Sequence, residues 1–159
     1  MKKTIFPLSI SVFVILFDQV TKFWVLHQYA VGDTFGLIPG ILEFCYVENY
    51  GSAMGIVSNA RWPLVIGTAI AIIACVFFLF SKKCTGKIMP CAFGLVVGGG
   101  IGNLIDRVFL GYVVDFVRFP ISWFHYSFNI ADCAVCLGCG LLVLELLLDF
   151  IGSKHKKDS

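Results

Sequence analysis

The chain has 159 residues, of which 58% are hydrophobic and only 14% are charged. Soluble domains are about half apolar and about a quarter charged, so this composition excludes an ordinary soluble domain. The net charge of +2 is small, and the lysines flank apolar blocks instead of forming a basic patch, so we expect no nucleic acid partner.

Four hydrophobic blocks predict membrane-spanning helices, because each is long enough to cross about 30 Å of hydrocarbon at about 1.5 Å per residue. We predict one membrane domain over residues 1–159. Its fold class is an all-α integral membrane protein with four transmembrane helices and a small extracytoplasmic β-sheet. The predicted helices cover about residues 5–26, 62–80, 88–105 and 129–151.

The first block follows Lys2 and Lys3 and could pass for a signal peptide. Polar residues, and not a small-residue cleavage site, follow its apolar core, so we interpret it as a retained helix. In the loop at 27–61, residues 41–47 favour a strand between glycine-rich turns, which predicts a small surface sheet. The third block is rich in glycine, which lets helices approach closely in lipid. The loop at 106–128 is dense in aromatic residues, which prefer the membrane interface.

Basic residues predict the topology. Eight of the twelve lysines and arginines lie at the N-terminus, between the second and third blocks, or in the C-terminal tail. Four crossings place these three segments on one side, and the positive-inside rule makes that side cytoplasmic. We therefore expect both termini in the cytoplasm and the loops at 27–61 and 106–128 outside.

The polar residues of the blocks gather near that outer face. They lie late in the first block, at the end of the third, in the second outer loop and at the start of the fourth: Asp18, Lys22, Asn103, Asp106, Arg107, Asp115, Asn129 and Asp132. An ion conductor needs polar groups along the whole crossing, whereas this pattern is a polar cap above apolar helices. Glu145 and Asp149, near the inner end of the fourth block, are interpreted as interfacial.

Several of these residues have a structural interpretation. Asp18 and Lys22 have the spacing and order of a helical ion pair, although they could also order a site or contact a substrate headgroup. Asp106 and Arg107 are interpreted as a capping and anchoring pair. Asn103 and Asn129 could bind backbone groups at helix ends, and the segment from Asn49 through Gly51 to Ala53 could be an ordinary turn. The cysteine run at Cys133, Cys136 and Cys139 lacks a fourth ligand and is interpreted as helix packing, so no metal site is expected.

Asp115 and Asp132 differ from these residues, because Asp115 has an apolar setting and Asp132 begins a spanning helix. Neither has a basic residue four positions away, although Arg118 is three residues after Asp115. Two carboxylates in a partly dry site cannot both ionise cheaply, so they share a proton. Aspartic peptidases use this arrangement: one acid activates water while its protonated partner polarises the amide carbonyl. Spacing alone leaves this dyad a hypothesis, because a loop separates the two acids.

Together these residues form five ordered motifs. They are DQVTK at 18–22, NYGSA at 49–53, GGGIGNLIDR at 98–107, VVDF at 113–116 and FNIAD at 128–132. The set strongly resembles the bacterial lipoprotein signal peptidase (signal peptidase II) family over about residues 13–150. There are two departures: Met54 stands where the family commonly has Phe, and Gly100 where it commonly has Ala.

The resemblance implies a four-helix membrane bundle that cleaves just before the diacylglyceryl-modified cysteine of a prolipoprotein. It implies that Asp115 and Asp132 are catalytic. It implies that the site is supported by Asp18, Lys22, Asn49, Gly51, Asn103, Asp106, Arg107 and Asn129. It implies no metal or organic cofactor. We expect a monomer in the bacterial plasma membrane, in contact with lipid, with its site near the extracytoplasmic face.

Two alternatives come from other functional classes. A small proton- or ion-coupled transporter would use Asp18 and Glu145 along an ion path. A scaffold without catalytic activity would bind a partner through the polar cap, and its function would survive replacement of Asp115 or Asp132.

Overall fold

The computed structural model describes residues 2–51, 61–81, 84, 86–121 and 126–155. Four of its helices are long and apolar enough to cross a membrane. The elements in chain order are α1 (Lys2–Gln28), β1 (Thr34–Ile38), β2 (Leu42–Asn49), α2 (Arg61–Leu79), α3 (Ile88–Phe109), β3 (Val113–Arg118), β4 (Ser127–Phe128) and α4 (Ile130–His155). The predicted fold, four spanning helices with a small antiparallel sheet, is confirmed.

Helix α3 lies at the centre of the bundle and packs against α1 through glycines. A Cβ atom at Gly94 would lie 2.7 Å from the carbonyl oxygen of Pro7, and one at Gly98 would lie 2.9 Å from that of Ser11. The Ser11 hydroxyl also donates to the Gly94 carbonyl at 2.8 Å. Close backbone approach of this kind is how helices associate in lipid. Because these pairs advance together along the chain, α1 and α3 are parallel.

A second face of α3 packs against α4 by the same means. A Cβ at Gly99 would collide with the Ala131 carbonyl oxygen, and one at Gly138 would lie 2.8 Å from the Ala92 carbonyl oxygen. These pairs run in opposite directions along the chain, so α3 and α4 are antiparallel. The C-terminal end of α3 therefore lies beside the N-terminal end of α4.

Helix α2 is joined to the bundle differently, because none of its residues is buried. It packs along α3, where the rings of Phe78 and Phe93 lie 6.2 Å apart. Nearer the other end, Ile72 faces Gly100. Contacts of α2 with α1 and α4 are sparse by comparison, so a gap remains between α2 and α4.

The sheet draws strands from both connecting loops, in the order β1-β2-β3-β4, and all neighbouring strands are antiparallel. The sequence predicted strand structure at residues 41–47 but treated 106–128 only as an interfacial loop. In the structure, residues 113–118 form β3, which is buried over its first four residues. A bulge in β2 places Phe44 opposite Val117 and Val47 opposite Asp115, one extra residue on the β2 side.

This sheet is fixed to the end of α1. Val25 near the end of α1 packs into a buried cluster with Phe44, Tyr46, Val114 and Phe116. The bulge allows three consecutive β2 residues to be buried, where regular alternation would expose one of them. The sheet therefore holds Asp115 directly above the helix bundle.

Candidate active site

Lys22 is the centre of a buried charge network, with only 2% of its surface exposed. Its ammonium nitrogen lies 2.8 Å from Asp18 Oδ2 and 2.9 Å from Asp106 Oδ2. It also donates to Asn103 Oδ1 at 2.8 Å. All three of its N–H donors therefore have acceptors, as a buried ammonium requires. The ion pair between Asp18 and Lys22 that the sequence predicted is confirmed.

Asp106 has a different partner from the one that the sequence suggested. The interpretation of Asp106 and Arg107 as a capping and anchoring pair is wrong. Asp106 binds Lys22, whereas Arg107 donates to the backbone carbonyl oxygens of Asn103 and Gly51. The second contact of Asp106 Oδ2 is the backbone N–H of Val114 in β3, at 3.1 Å. Asp106 thus ties α3 to α1 and to the strand that carries Asp115. Sequence spacing could not reveal a contact between residues 84 positions apart.

Asn129 and Asp132 form a reciprocal cap at the start of α4. The backbone N–H of Asp132 donates to Asn129 Oδ1 at 3.0 Å, and the backbone N–H of Asn129 donates to Asp132 Oδ2 at 3.1 Å. This is the geometry of a capping box, with Asn and Asp in place of the usual Ser or Thr and Glu. Asp18 Oδ1 accepts the next free amide, from Ala131, at 2.9 Å. The helix start therefore fixes the Asp132 carboxylate.

Asp115 is 1% exposed and accepts one hydrogen bond on each carboxylate oxygen. Asn129 Nδ2 donates to Oδ1 at 2.7 Å, and Asn49 Nδ2 donates to Oδ2 at 2.8 Å. Burial, and then the negative charge of Asp132, raise the pKa of Asp115 to about 7, although the two amides and Lys22 oppose this shift. Asp115 can therefore hold a proton near neutral pH.

Asn103 links the buried lysine to the second acid. Its Oδ1 accepts from Lys22 and, at 3.1 Å, from Asn129 Nδ2. Its Nδ2 donates to Asp132 Oδ1 at 2.8 Å. The expectation that Asn103 binds backbone groups at a helix end is wrong, since its side chain bridges other side chains. Side-chain amide contacts therefore connect the two acids, from Asp115 through Asn129 and Asn103 to Asp132.

The turn after β2 borders the same site. Asn49 Oδ1 accepts the backbone N–H of Gly51 at 2.9 Å, so Asn49 both shapes the turn and binds Asp115. Arg107 reaches from α3 to the Gly51 carbonyl oxygen, to which its Nη2 donates at 3.4 Å. The last two residues of this motif, Ser52 and Ala53, and the departure at Met54 lie outside the described residues.

A cavity of about 420 Å³ runs from the site into the gap between α2 and α4. Asn103, Arg107 and Asp132 line its polar part, and the rest of the lining is mostly apolar. The departure Gly100 also lines it, where an added Cβ would lie 3.1 Å from Ile72 Cγ1. Glycine therefore leaves more space at the contact between α2 and α3 than alanine would.

Two residues that the sequence did not single out support the site. Gln19 donates from Nε2 to Asp106 Oδ1 at 3.0 Å and to the Gly102 carbonyl at 3.2 Å. Arg61, at the start of α2, donates to the carbonyl oxygens of Arg107 and Val108 at 2.8 and 2.7 Å. The position of Gln19 directly after Asp18 could have indicated that it belongs to the site. Nothing in the sequence around Arg61 indicated a partner 46 residues away.

The whole arrangement can be compared with known proteins. The family described as Signal peptidase (SPase) II matches residues 10–148, which include all ten candidate site residues. The chain belongs to the signal peptidase II family. Its membership makes the protein a peptidase, and its four apolar helices make it a multi-pass membrane protein.

Curated relatives of this chain carry the name lipoprotein signal peptidase. One from Halalkalibacterium halodurans is 34% identical over 151 residues, covering 94% of this chain and 97% of the relative. One from Escherichia coli O157:H7 is 38% identical over 156 residues, covering 94% and 92%. One from Salmonella typhi is 38% identical over 143 residues, covering 87% and 86%.

Two solved structures, both described as bacterial membrane enzymes, share the fold of this chain. The first has a TM-score of 0.85 and 38% identity, and the match covers 91% of this chain and 88% of that one. The second has a TM-score of 0.80 and 38% identity, and the match covers 89% and 92%.

Proposed function

We propose that the protein is an intramembrane aspartic endopeptidase with Asp115 and Asp132 as its catalytic dyad. Its substrate is a prolipoprotein whose cysteine carries diacylglycerol, and it cleaves the peptide bond just before that cysteine. The family supports removal of signal peptides from prolipoproteins. The catalytic type, the cleavage position and the roles of the site residues are the proposal.

One observation carries the proposed chemistry: Asn129 contacts both acids. Its side-chain amide donates to Asp115, and its backbone N–H donates to Asp132. The two carboxylates come from different elements, β3 and the start of α4, and Asn129 connects them. Donors on both acids stabilise negative charge, while burial and the charge of Asp132 favour a proton on Asp115. The pair can therefore hold one proton between them.

The dyad would act on water and on the scissile amide together. The ionised acid takes a proton as the water oxygen bonds to the carbonyl carbon, and the protonated acid donates its proton to the carbonyl oxygen. The tetrahedral intermediate then collapses. Its carbon–nitrogen bond breaks, and the nitrogen takes a proton from the dyad as the amine leaves. A hydroxyl of the intermediate gives its proton to the pair as the new carboxyl group forms, so one water is consumed and the pair again holds one proton.

The other candidate residues position these groups. The buried ion pairs of Lys22 with Asp18 and Asp106 fix the ends of α1 and α3 under the site. Asn49 and Asn103 each donate to one catalytic acid. Arg107 and Gly51 hold the turn beside the cavity.

The cavity between α2 and α4 suits a lipid-modified substrate. Its apolar part can hold acyl chains while its polar part lies against Asp132 and Asn103. The lipid chains then stay at membrane depth and the peptide bond reaches the acids. We also propose that the protein acts as a monomer, with both termini in the cytoplasm and the site near the extracytoplasmic face of the plasma membrane.

The test is cleavage of a diacylglyceryl-modified prolipoprotein by the purified protein in detergent, with a chelator present. Wild type is expected to release the signal peptide, while Asp115→Asn and Asp132→Asn are expected to be inactive but folded. Asp149→Asn is the matched control, because it removes an acid from the far end of α4. Cleavage by either dyad variant at the wild-type rate would overturn the proposed mechanism, and so would loss of cleavage in the control.

A further inference from the structure

We propose that Arg61 is a positioning residue for the lipid-modified part of the substrate, because it fixes the start of α2 as one wall of the cavity beside the dyad. The inference rests on the proposed function, since it concerns how that cavity holds its substrate. Arg61 is the first residue of α2 and does not itself line the cavity. Its effect on the substrate therefore passes through the helix that it begins.

Arg61 completes the C-terminal cap of α3. The carbonyl oxygen of Asp106 accepts the amides of the two residues that follow α3, at 2.7 and 3.2 Å. Arg107 and Val108 belong to the same last turn, whose carbonyl oxygens a helix leaves without an internal partner. Arg61 donates to these two oxygens, from Nε at 2.8 Å and from Nη2 at 2.7 Å. A guanidinium suits the position, because its donors form a planar fork and its charge offsets the negative end of the helix dipole.

The same contact attaches α2 to the bundle. None of the residues of α2 is buried, so packing alone holds this helix weakly. At the end far from the dyad, the ring of Phe78 packs against that of Phe93. At the end beside the dyad, Arg61 supplies two charge-assisted hydrogen bonds, which are roughly twice as strong as neutral ones. Loss of Arg61 should therefore release the start of α2 more than the rest of the helix.

The start of α2 is a wall of the cavity. Pro63 and Leu64 follow Arg61 within one turn, and they line the same cavity as Asp132. A gap of about 0.5–1 Å already forfeits a quarter to a half of the attraction between two apolar atoms, so a displaced wall would hold an acyl chain poorly. The hydrogen bonds of Asp115 and Asp132 described above come from β2, α3 and the start of α4 instead. Substrate affinity should thus depend on Arg61, whereas the chemical step should not.

The experiment is steady-state cleavage of a diacylglyceryl-modified prolipoprotein by purified variants in detergent. Arg61→Met removes both hydrogen bonds and keeps an unbranched side chain. It is expected to raise KM about tenfold, the scale of one hydrogen bond to a charged group, and to change kcat less than about threefold. Arg61→Lys keeps the charge without the fork and is expected to raise KM about threefold. Arg118→Met is the matched control, because Arg118 pairs with Glu43 in the sheet, and it should leave KM unchanged.

Two kinetic outcomes would overturn the inference. A fall in kcat with an unchanged KM in Arg61→Met would mean that Arg61 supports the acids through α3 and does not position the substrate. An equal rise of KM in Arg118→Met would mean that the effect is not specific to the attachment of α2.

Binding of a fluorescently labelled substrate to the Asp115→Asn protein repeats the comparison without cleavage. Adding Arg61→Met should weaken binding about tenfold for palmitoyl chains and less for octanoyl chains, because shorter chains make fewer contacts with α2. Equal losses for both chain lengths would overturn the inference. Arg61→Lys is measured as well, and unchanged binding there would overturn it even if Arg61→Met does not fold. Since binding needs no cleavage, failure of this inference and failure of the dyad are distinguishable.

Discussion

Asn129 Nδ2 lies 2.7 Å from Asp115 Oδ1, although Asn129 is also the residue that caps α4. One side chain therefore has two separable tasks, because its amide binds the acid on β3 and its carbonyl oxygen binds the helix start. Substitutions that preserve only one task can tell the catalytic contribution from the structural one.

We predict that Asn129→Ser lowers kcat at least tenfold, on the order of the about 1.5–3 kcal/mol of a hydrogen bond to a charged group. Serine is a good helix cap but supplies no amide to Asp115, so the thermal unfolding temperature should fall less than in Asn129→Ala. Initial cleavage rates and unfolding curves of both variants test this. Equal losses of stability in the two variants would contradict the separation of tasks.

Lys22→Met is expected to destabilise the protein by about 3–5 kcal/mol, because it leaves Asp18 and Asp106 buried without their cation. Chemical unfolding in detergent without added phospholipid measures the effect. Lys87→Met removes an exposed lysine and should change the unfolding free energy by no more than about 0.5 kcal/mol. Adding Asp106→Asn to Lys22→Met should recover part of the loss, and a further loss in this double variant would argue against the ion-pair network.

Asp115 should make stability depend on pH. Its pKa is raised from the ordinary 3.8 to about 7, so between these values the folded protein binds more protons than the unfolded chain. The free energy of unfolding therefore falls as pH rises through this window, by at most about 1.4 kcal/mol per pH unit from this group. Asp115→Asn should lose this part of the slope between pH 4 and pH 8. Asp33→Asn, in the exposed turn before β1, should keep it; the same slope in both variants would contradict the assignment.

The glycines of the helices should differ sharply in their tolerance of alanine. Gly98→Ala is expected to cost about 1–3 kcal/mol, because its Cβ would lie 2.9 Å from the Ser11 carbonyl oxygen. Gly140→Ala meets nothing within 4 Å and should be neutral or stabilising by up to about 1 kcal/mol. Unfolding curves of the pair compare the same chemical change at a packed and an open position. Similar effects at both would mean that the close approach of α1 and α3 is not what requires glycine.

The helices could be predicted from the sequence because hydropathy and length determine which segments cross a membrane. The ion pair of Asp18 and Lys22 could also be predicted, because side chains four positions apart lie on the same face of a helix. Strand β3 was not predicted. Its sequence, Val113 to Arg118, lies within the aromatic-rich segment 106–128. A strand of six residues gains its stability from pairing with β2, which the local sequence pattern does not reveal.

Contacts between residues far apart in the chain could not be predicted from the spacing of the motifs. Asp106 looked like a companion of Arg107, yet it binds Lys22 and Val114, because the parallel packing of α1 and α3 brings their ends together. Arg61 binds carbonyl oxygens at the end of α3 for the same kind of reason. Motif resemblance supplied the candidate site residues, but it could not assign which of them are in contact.

Helix α2 has an apolar outer face with no buried residue and the cavity behind it, and it packs almost entirely against α3. Under the proposed function, a substrate anchored by its acyl chains could slip past this helix sideways and reach the acids without leaving the bilayer. Enzyme and substrate would then meet by lateral diffusion in the plane of the membrane. Dilution of enzyme and substrate with extra lipid should slow cleavage, whereas dilution of the same vesicles with buffer should not.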